Sequence, residues 1–124
     1  VHPDLKPKYG MLGTTFGGNH LACSASLAVL EIIKKDKLQH HAKSMETYFR
    51  AKAEKIKGIK IKGRGLMLGL AFDFEVGPLR KSLIYEKNIF TGGSSNKNVL
   101  RILPPLTVQK KHFDRFFEAL EDLL

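Results

Sequence analysis

The chain of 124 residues is 43% hydrophobic and carries eight Phe, enough for the core of one compact domain. A single cysteine, Cys23, excludes an internal disulfide, and neither a run of about 18 uncharged apolar residues nor a basic-then-apolar leader pattern occurs, so a cytoplasmic protein is expected. The net charge of +9 raises nucleic acid or an anionic ligand as a partner, yet Lys34, Lys35, Lys37, Lys43, Lys52, Lys55 and Lys57 fall mostly between apolar helical positions, as on a solvated face.

The chain begins at Val1 rather than Met, and Val1 to Lys8 holds two prolines without an apolar period, as in a linker entered partway through a longer protein. Gly13-Thr14-Thr15-Phe16-Gly17-Gly18-Asn19 follows, directly before a helix. Its glycines permit a tight turn and close approach to a ligand, its hydroxyls offer donors, and free N–H groups follow at the helix start. The segment is either a phosphate cradle or an ordinary glycine-rich turn capped by Asn19; no Gly-Lys-Ser/Thr ends it, which excludes a Walker A loop.

From Asn19 to Lys35 the apolar set Leu21, Ala22, Ala25, Leu27, Ala28, Leu30, Ile32 and Ile33 goes almost right round a helix, which predicts burial on most sides against another domain or subunit. Cys23, between Ala22 and Ser24, is expected in a small buried helical site, with a reactive thiol as the alternative. From Asp36 to Lys57 the spacing Leu38, Ala42, Met45, Phe49, Ala53, Ile56 predicts an amphipathic surface helix stopped at Gly58. His40-His41 lies on it without Cys or carboxylate at ligand spacing, so no metal site is expected.

Ile59 to Lys62, the Gly63-Arg64-Gly65 turn and the alternation Leu66, Leu68, Leu70, Phe72, Phe74 predict a β-hairpin. Gly77-Pro78 starts a short helix ending near Asn88. Ile89 to Thr91 is a predicted short strand, and Thr91-Gly92-Gly93 is a plain turn or a loop near a site. Val99 to Leu103 is a second strand, ended by Pro104-Pro105. Thr107 is the expected N-cap of a last helix with the face Val108, Phe113, Phe116, Phe117, Leu120 and Leu124. This order gives an α+β fold, a small mainly antiparallel sheet covered on one face by helices.

Arg101 stands out in its apolar strand, because no residue from Val99 to Leu106 is acidic. An acidic group elsewhere in the fold pairs with it, or a ligand carboxylate does, held by the planar fork of the guanidinium. No grouping of Ser, His and Asp suggests a nucleophilic triad.

Gly13 to Cys23, reading GTTFGGNHLAC, resembles the class III aminotransferase segment in which a Ser/Thr-Thr pair precedes Phe/Tyr-Gly-Gly-Asn-Pro. Val99 to Val108, VLRILPPLTV, resembles that family's C-terminal substrate-arginine strand, and Arg64 to Leu70, RGLMLGL, the hairpin between them. The resemblance covers essentially the whole chain in the family's order. It implies the C-terminal small domain of a fold-type I pyridoxal 5'-phosphate aminotransferase. Residues 1–18 would be a linker and phosphate-binding loop from the large-domain side, and 19–124 the small domain with its connecting helix.

By the same resemblance, Thr15 would hydrogen-bond the cofactor's phosphate in the active site of the partner subunit of a homodimer. Thr14 would lie against the amino donor there, and Arg101 would bind the substrate α-carboxylate within its own subunit. Phe16 with Leu21-Ala22-Cys23 looks more like acetylornithine enzymes than ornithine ones. His20 stands where the family usually has Pro, which a first helical turn tolerates without requiring. In such enzymes the Schiff-base lysine precedes this segment, so no lysine of this sequence is assigned to catalysis and the chain alone is expected to be inactive. The reaction implied moves the terminal amino group of N-acetylornithine to 2-oxoglutarate, in arginine biosynthesis, with ornithine, succinylornithine or 4-aminobutyrate as alternative donors. Two rivals from other classes are a small basic domain binding nucleic acid through Lys55 to Lys62, and a structural dimerisation module in which Arg101 has no ligand.

Overall fold

In the computed structural model, which describes residues 4, 6, 8–10 and 13–124, the first element is helix α1 (His20–Lys35). Val1, with Pro3 and Pro7 of the expected linker, lies outside the described residues. Asn19 caps α1: its side-chain oxygen accepts a 2.9 Å hydrogen bond from the Ala22 N–H, while its amide donates to the Phe16 carbonyl at 2.7 Å. The chain divides into two compact units, Val1–Asp36 and Lys37–Leu124, so α1 groups with the glycine-rich loop before it.

Within its own unit α1 is left uncovered. None of its residues is buried; Leu21 is 81% exposed and Leu30 62%. Cys23 is likewise exposed rather than enclosed in a small helical site. The reason is local: α1 is the one regular element of its unit among the described residues, and a helix apolar nearly all round has no second element there to bury it.

The second unit starts with α2 (Leu38–Ala53), whose predicted stripe faces inward, with Leu38, Met45, Phe49 and Ala53 buried. The hairpin follows as β1 (Lys60–Arg64) and β2 (Met67–Ala71), then α3 (Gly77–Tyr85), β3 (Val99–Ile102) and α4 (Lys110–Glu121). The sheet runs β1-β2-β3 with both pairings antiparallel, in the register Leu68↔Ile102, Gly69↔Arg101 and Leu70↔Leu100. Leu68, Leu70, Leu100 and Ile102 share one face and join Phe49 of α2 and Phe113, Phe117 and Leu120 of α4 in a single core. Gly69 and Arg101 therefore share the opposite face. Phe49 is fully buried, with ring centroids 5.1 Å from Phe113 and 4.9 Å from Phe117.

A polar clamp ties the hairpin turn to α2. Glu46 accepts hydrogen bonds from the Gly65 N–H at 2.7 Å and from Arg50 at 2.9 Å, and Arg50 donates onward to the Gly63 carbonyl at 2.6 Å. Burial pushes the Glu46 carboxyl up, but the Arg50 and Gly65 donors together hold it below its ordinary range.

Three sequence expectations are corrected here. Ile89 to Thr91 is not a strand: the Ile89 N–H donates to Leu83 at the end of α3, the Thr91 carbonyl accepts from Arg80, and the only ladder contact is a bridge at Gly92. Thr107 is not the cap of α4, because the Val108 N–H closes a turn onto the Pro105 carbonyl and the helix starts later. Gln109 is the cap, in a reciprocal box with His112. Leu124 is exposed instead of completing the α4 face.

Candidate functional site

Within β3, Val99, Leu100 and Ile102 are buried and Arg101 is exposed. Its main chain exchanges two hydrogen bonds with Gly92, donating at 2.9 Å and accepting at 2.8 Å. Its guanidinium has no ion pair or hydrogen bond with any described residue. Of the two alternatives left open by the sequence, an acidic partner within the fold is therefore not found among the described residues, and a cation with five donors stays available to a ligand.

Arg101 is one of the residues lining a cavity of about 360 Å³ between the 89–92 segment, the end of β3 and α4, with Thr91, Gly92, Val108, His112 and Phe116 also in its lining. Two side-chain hydrogen bonds anchor the backbone of its walls. His41 on α2 donates through Nε2 to the Val108 carbonyl at 2.6 Å, which ties the wall before α4 to α2. Arg80 on α3 donates to the Thr91 carbonyl at 3.0 Å and ties the opposite wall to α3. His112 accepts the Gln109 N–H on Nδ1, so its other ring nitrogen carries the proton in the neutral form. An apolar floor with one unpaired guanidinium at its rim suits a small carboxylate with a short carbon chain.

Sequence reasoning did not single out His112, Arg80 or His41 for this site. Nothing in their local sequence marks them; only the fold brings Gly92, Arg101 and His112 around one cavity and sets His41 and Arg80 against the carbonyls of its walls. Gly92 carried a signal, the doubled glycine after Thr91, which on sequence alone read first as a plain turn and only second as a loop near a site.

Thr14 and Thr15 stand in the first unit, in an exposed turn closed by hydrogen bonds from the Gly17 N–H to the Thr14 carbonyl at 3.3 Å and from the Asn19 N–H to Phe16 at 3.4 Å. Gly18 takes φ +74°, a left-handed conformation that favours glycine. A Cβ built on Gly17 would run into the methyl of the exposed Thr14, which would have to turn aside. Neither threonine hydroxyl has a partner among the described residues. Of the first N–H groups of α1, that of Ala22 donates to the Asn19 side chain, while those of His20 and Leu21 have no acceptor four residues back within the helix.

The family model described as "Aminotransferase class-III" matches residues 3–124. The acetylornithine aminotransferase of Aquifex aeolicus is 41% identical over 116 residues, covering 93% of this chain and 30% of that protein. The acetylornithine aminotransferase of Methanocaldococcus jannaschii is 41% identical over 120 residues, with 93% and 30% covered. Among solved structures, the ornithine aminotransferase of Toxoplasma gondii, with pyridoxal phosphate at partial occupancy in its active site, superposes with a TM-score of 0.76 at 27% identity, over 94% of this chain and 29% of that one. The chain thus spans about 30% of the length of the relatives it matches. It belongs to the class-III aminotransferase family.

Proposed function

We propose that this chain supplies the substrate-carboxylate and cofactor-phosphate contacts of a pyridoxal-phosphate aminotransferase that moves the terminal amino group of N-acetylornithine to 2-oxoglutarate, a step of arginine biosynthesis in the cytoplasm. The observation that carries this is Arg101, exposed, without a charged partner among the described residues and among those lining an apolar cavity. A bidentate grip on the α-carboxylate fixes the carbon chain of donor and acceptor alike in one orientation, which is how binding is converted into rate. Residues 14–19 fit the phosphate end of the cofactor: two unengaged hydroxyls, a tight turn with Gly18 in the left-handed conformation, and a helix N-terminus. Thr15 would take the phosphate and Thr14 would lie against the amino donor. Bound pyridoxal phosphate supplies the electron sink that amino-group transfer requires.

The work divides between subunits of a homodimer. Thr14 and Thr15 serve the neighbour's active site and Arg101 its own, so each copy of this segment contributes to two sites. The chain's exposed apolar α1 and the names of its relatives support that arrangement and the acetylornithine donor. Residues 1–18 would then be a linker and phosphate loop, with 19–124 the small domain and its connecting helix. No observation favours a nucleic-acid partner.

Kinetics of the full gene product test the assignment. Amino transfer to 2-oxoglutarate should be fastest from N-acetylornithine, with ornithine, succinylornithine and 4-aminobutyrate slower. Arg101→Ala should raise KM for 2-oxoglutarate by roughly 100-fold, the worth of a charge-assisted bidentate pair. Preference for another donor would change the substrate, and an unchanged KM in Arg101→Ala would overturn the role of Arg101.

A further inference from the structure

The segment facing Arg101 is as specific as Arg101 itself. Gly92 exchanges both main-chain hydrogen bonds with Arg101, at 2.8 and 2.9 Å, which places the two Cα atoms directly opposite each other. The Arg101 side chain lies across the bare Cα of Gly92. A Cβ built on Gly92 would stand 2.6 Å from Nε, 3.1 Å from Nη2 and 3.3 Å from the Cβ of Arg101. The first of these is closer than two such atoms come, and Nε is mid-chain, so the whole guanidinium would have to swing away. Gly92 does not need glycine for its own backbone, since its φ lies outside the left-handed region. The absence of a side chain at 92 is thus a requirement of Arg101 and not of the turn. Arg80 fixes the segment from behind by donating to the Thr91 carbonyl at 3.0 Å.

We propose that Gly92 is a positioning residue for the carboxylate site: its missing side chain is what allows the Arg101 guanidinium to lie at the cavity rim in the orientation that grips a carboxylate. This rests on the proposed role of Arg101. Alanine at 92 leaves the strand bridge intact and redirects the cation.

Calorimetric titration of glutarate, a dicarboxylate that cannot accept an amino group, into the full gene product tests this with Gly92→Ala, Arg101→Ala and the double variant. Arg101→Ala should weaken glutarate roughly 100-fold and Gly92→Ala roughly tenfold, while the double variant should match Arg101→Ala alone. In turnover, Gly92→Ala should raise KM for 2-oxoglutarate more than it lowers kcat. Gly93→Ala is the control, because a Cβ there meets only the end of Arg80, at 3.3 Å, and should bind glutarate as the unmodified protein does.

Wild-type binding in Gly92→Ala would overturn the proposal. So would a further loss when Gly92→Ala is added to Arg101→Ala, since Gly92 would then act by another route. Full glutarate binding in Arg101→Ala would instead overturn the carboxylate role of Arg101, and this proposal with it. Circular dichroism should show Gly92→Ala folded with an unchanged melt; a variant that fails to fold would contradict the premise that the arginine, and not the backbone, gives way.

Discussion

Tyr48 on α2 and Asp114 on α4 are joined by a 2.5 Å hydrogen bond from the phenol O–H to the carboxylate, and Lys52 closes on the same oxygen at 2.6 Å. Lys110 sits 5.1 Å above the Tyr48 ring. The group links the two helices that cover the sheet, at the solvent edge of the Phe49 cluster.

Its charge logic gives a pH prediction. Lys52 first and then Tyr48 hold Asp114 below the usual carboxylate range, so the stability it contributes is complete above the ordinary Asp pKa and is lost as pH falls through the lowered one. Asp114 raises both Tyr48 and Lys52, so their contribution is complete below their ordinary values and is lost as pH rises through the raised ones. Asp114→Asn should therefore lower the melting temperature at neutral pH and flatten its decline at both the acid and the alkaline end. Thermal melts across pH 2 to 12 would check this.

Phe49→Ala removes a fully buried ring that packs on Phe113, Phe116 and Phe117. The expected cost is about 3–5 kcal/mol. The urea midpoint of the protein should fall accordingly, and a loss below about 1 kcal/mol would contradict the packing described.

Gly63 has φ +91°, and a Cβ there would run into the Met67 carbonyl, which is backbone and cannot step aside cheaply. Gly63→Ala should cost about 1–3 kcal/mol through strain in the hairpin turn. Amide exchange should locate the loss in β1 and β2. Gly58→Ala, also at positive φ but with open space around its Cβ position, should cost less.

Much of this fold was legible because periodicity reports burial directly. Leu38, Met45, Phe49 and Ala53 repeat at helical spacing, and all four are buried. Leu68 and Leu70 alternate in β2, and both are buried. What was not legible depended on groups distant in sequence. Ile89 to Thr91 has strand composition, but its backbone is claimed by Leu83 and Arg80, which no local pattern shows. Gln109 is a poor cap by type and became one because His112 reciprocates. Arg101 was visible as a lone charge in an apolar strand, whereas the cavity beside it was not, since Ile89, Gly92, Val108 and His112 come together only after folding.

The proposed sharing of the active site between subunits is tested most directly by subunit complementation in the full gene product. Thr15→Ala and Arg101→Ala subunits, each nearly inactive alone, are mixed and reassembled. If Thr15 serves the neighbour's site and Arg101 its own, a mixed dimer holds one site with both residues intact and one with neither. Activity should then rise to roughly one quarter of the unmodified level, since about half the dimers are mixed and each has one intact site. No gain on mixing would contradict the account, because it would place both residues in the same subunit's site.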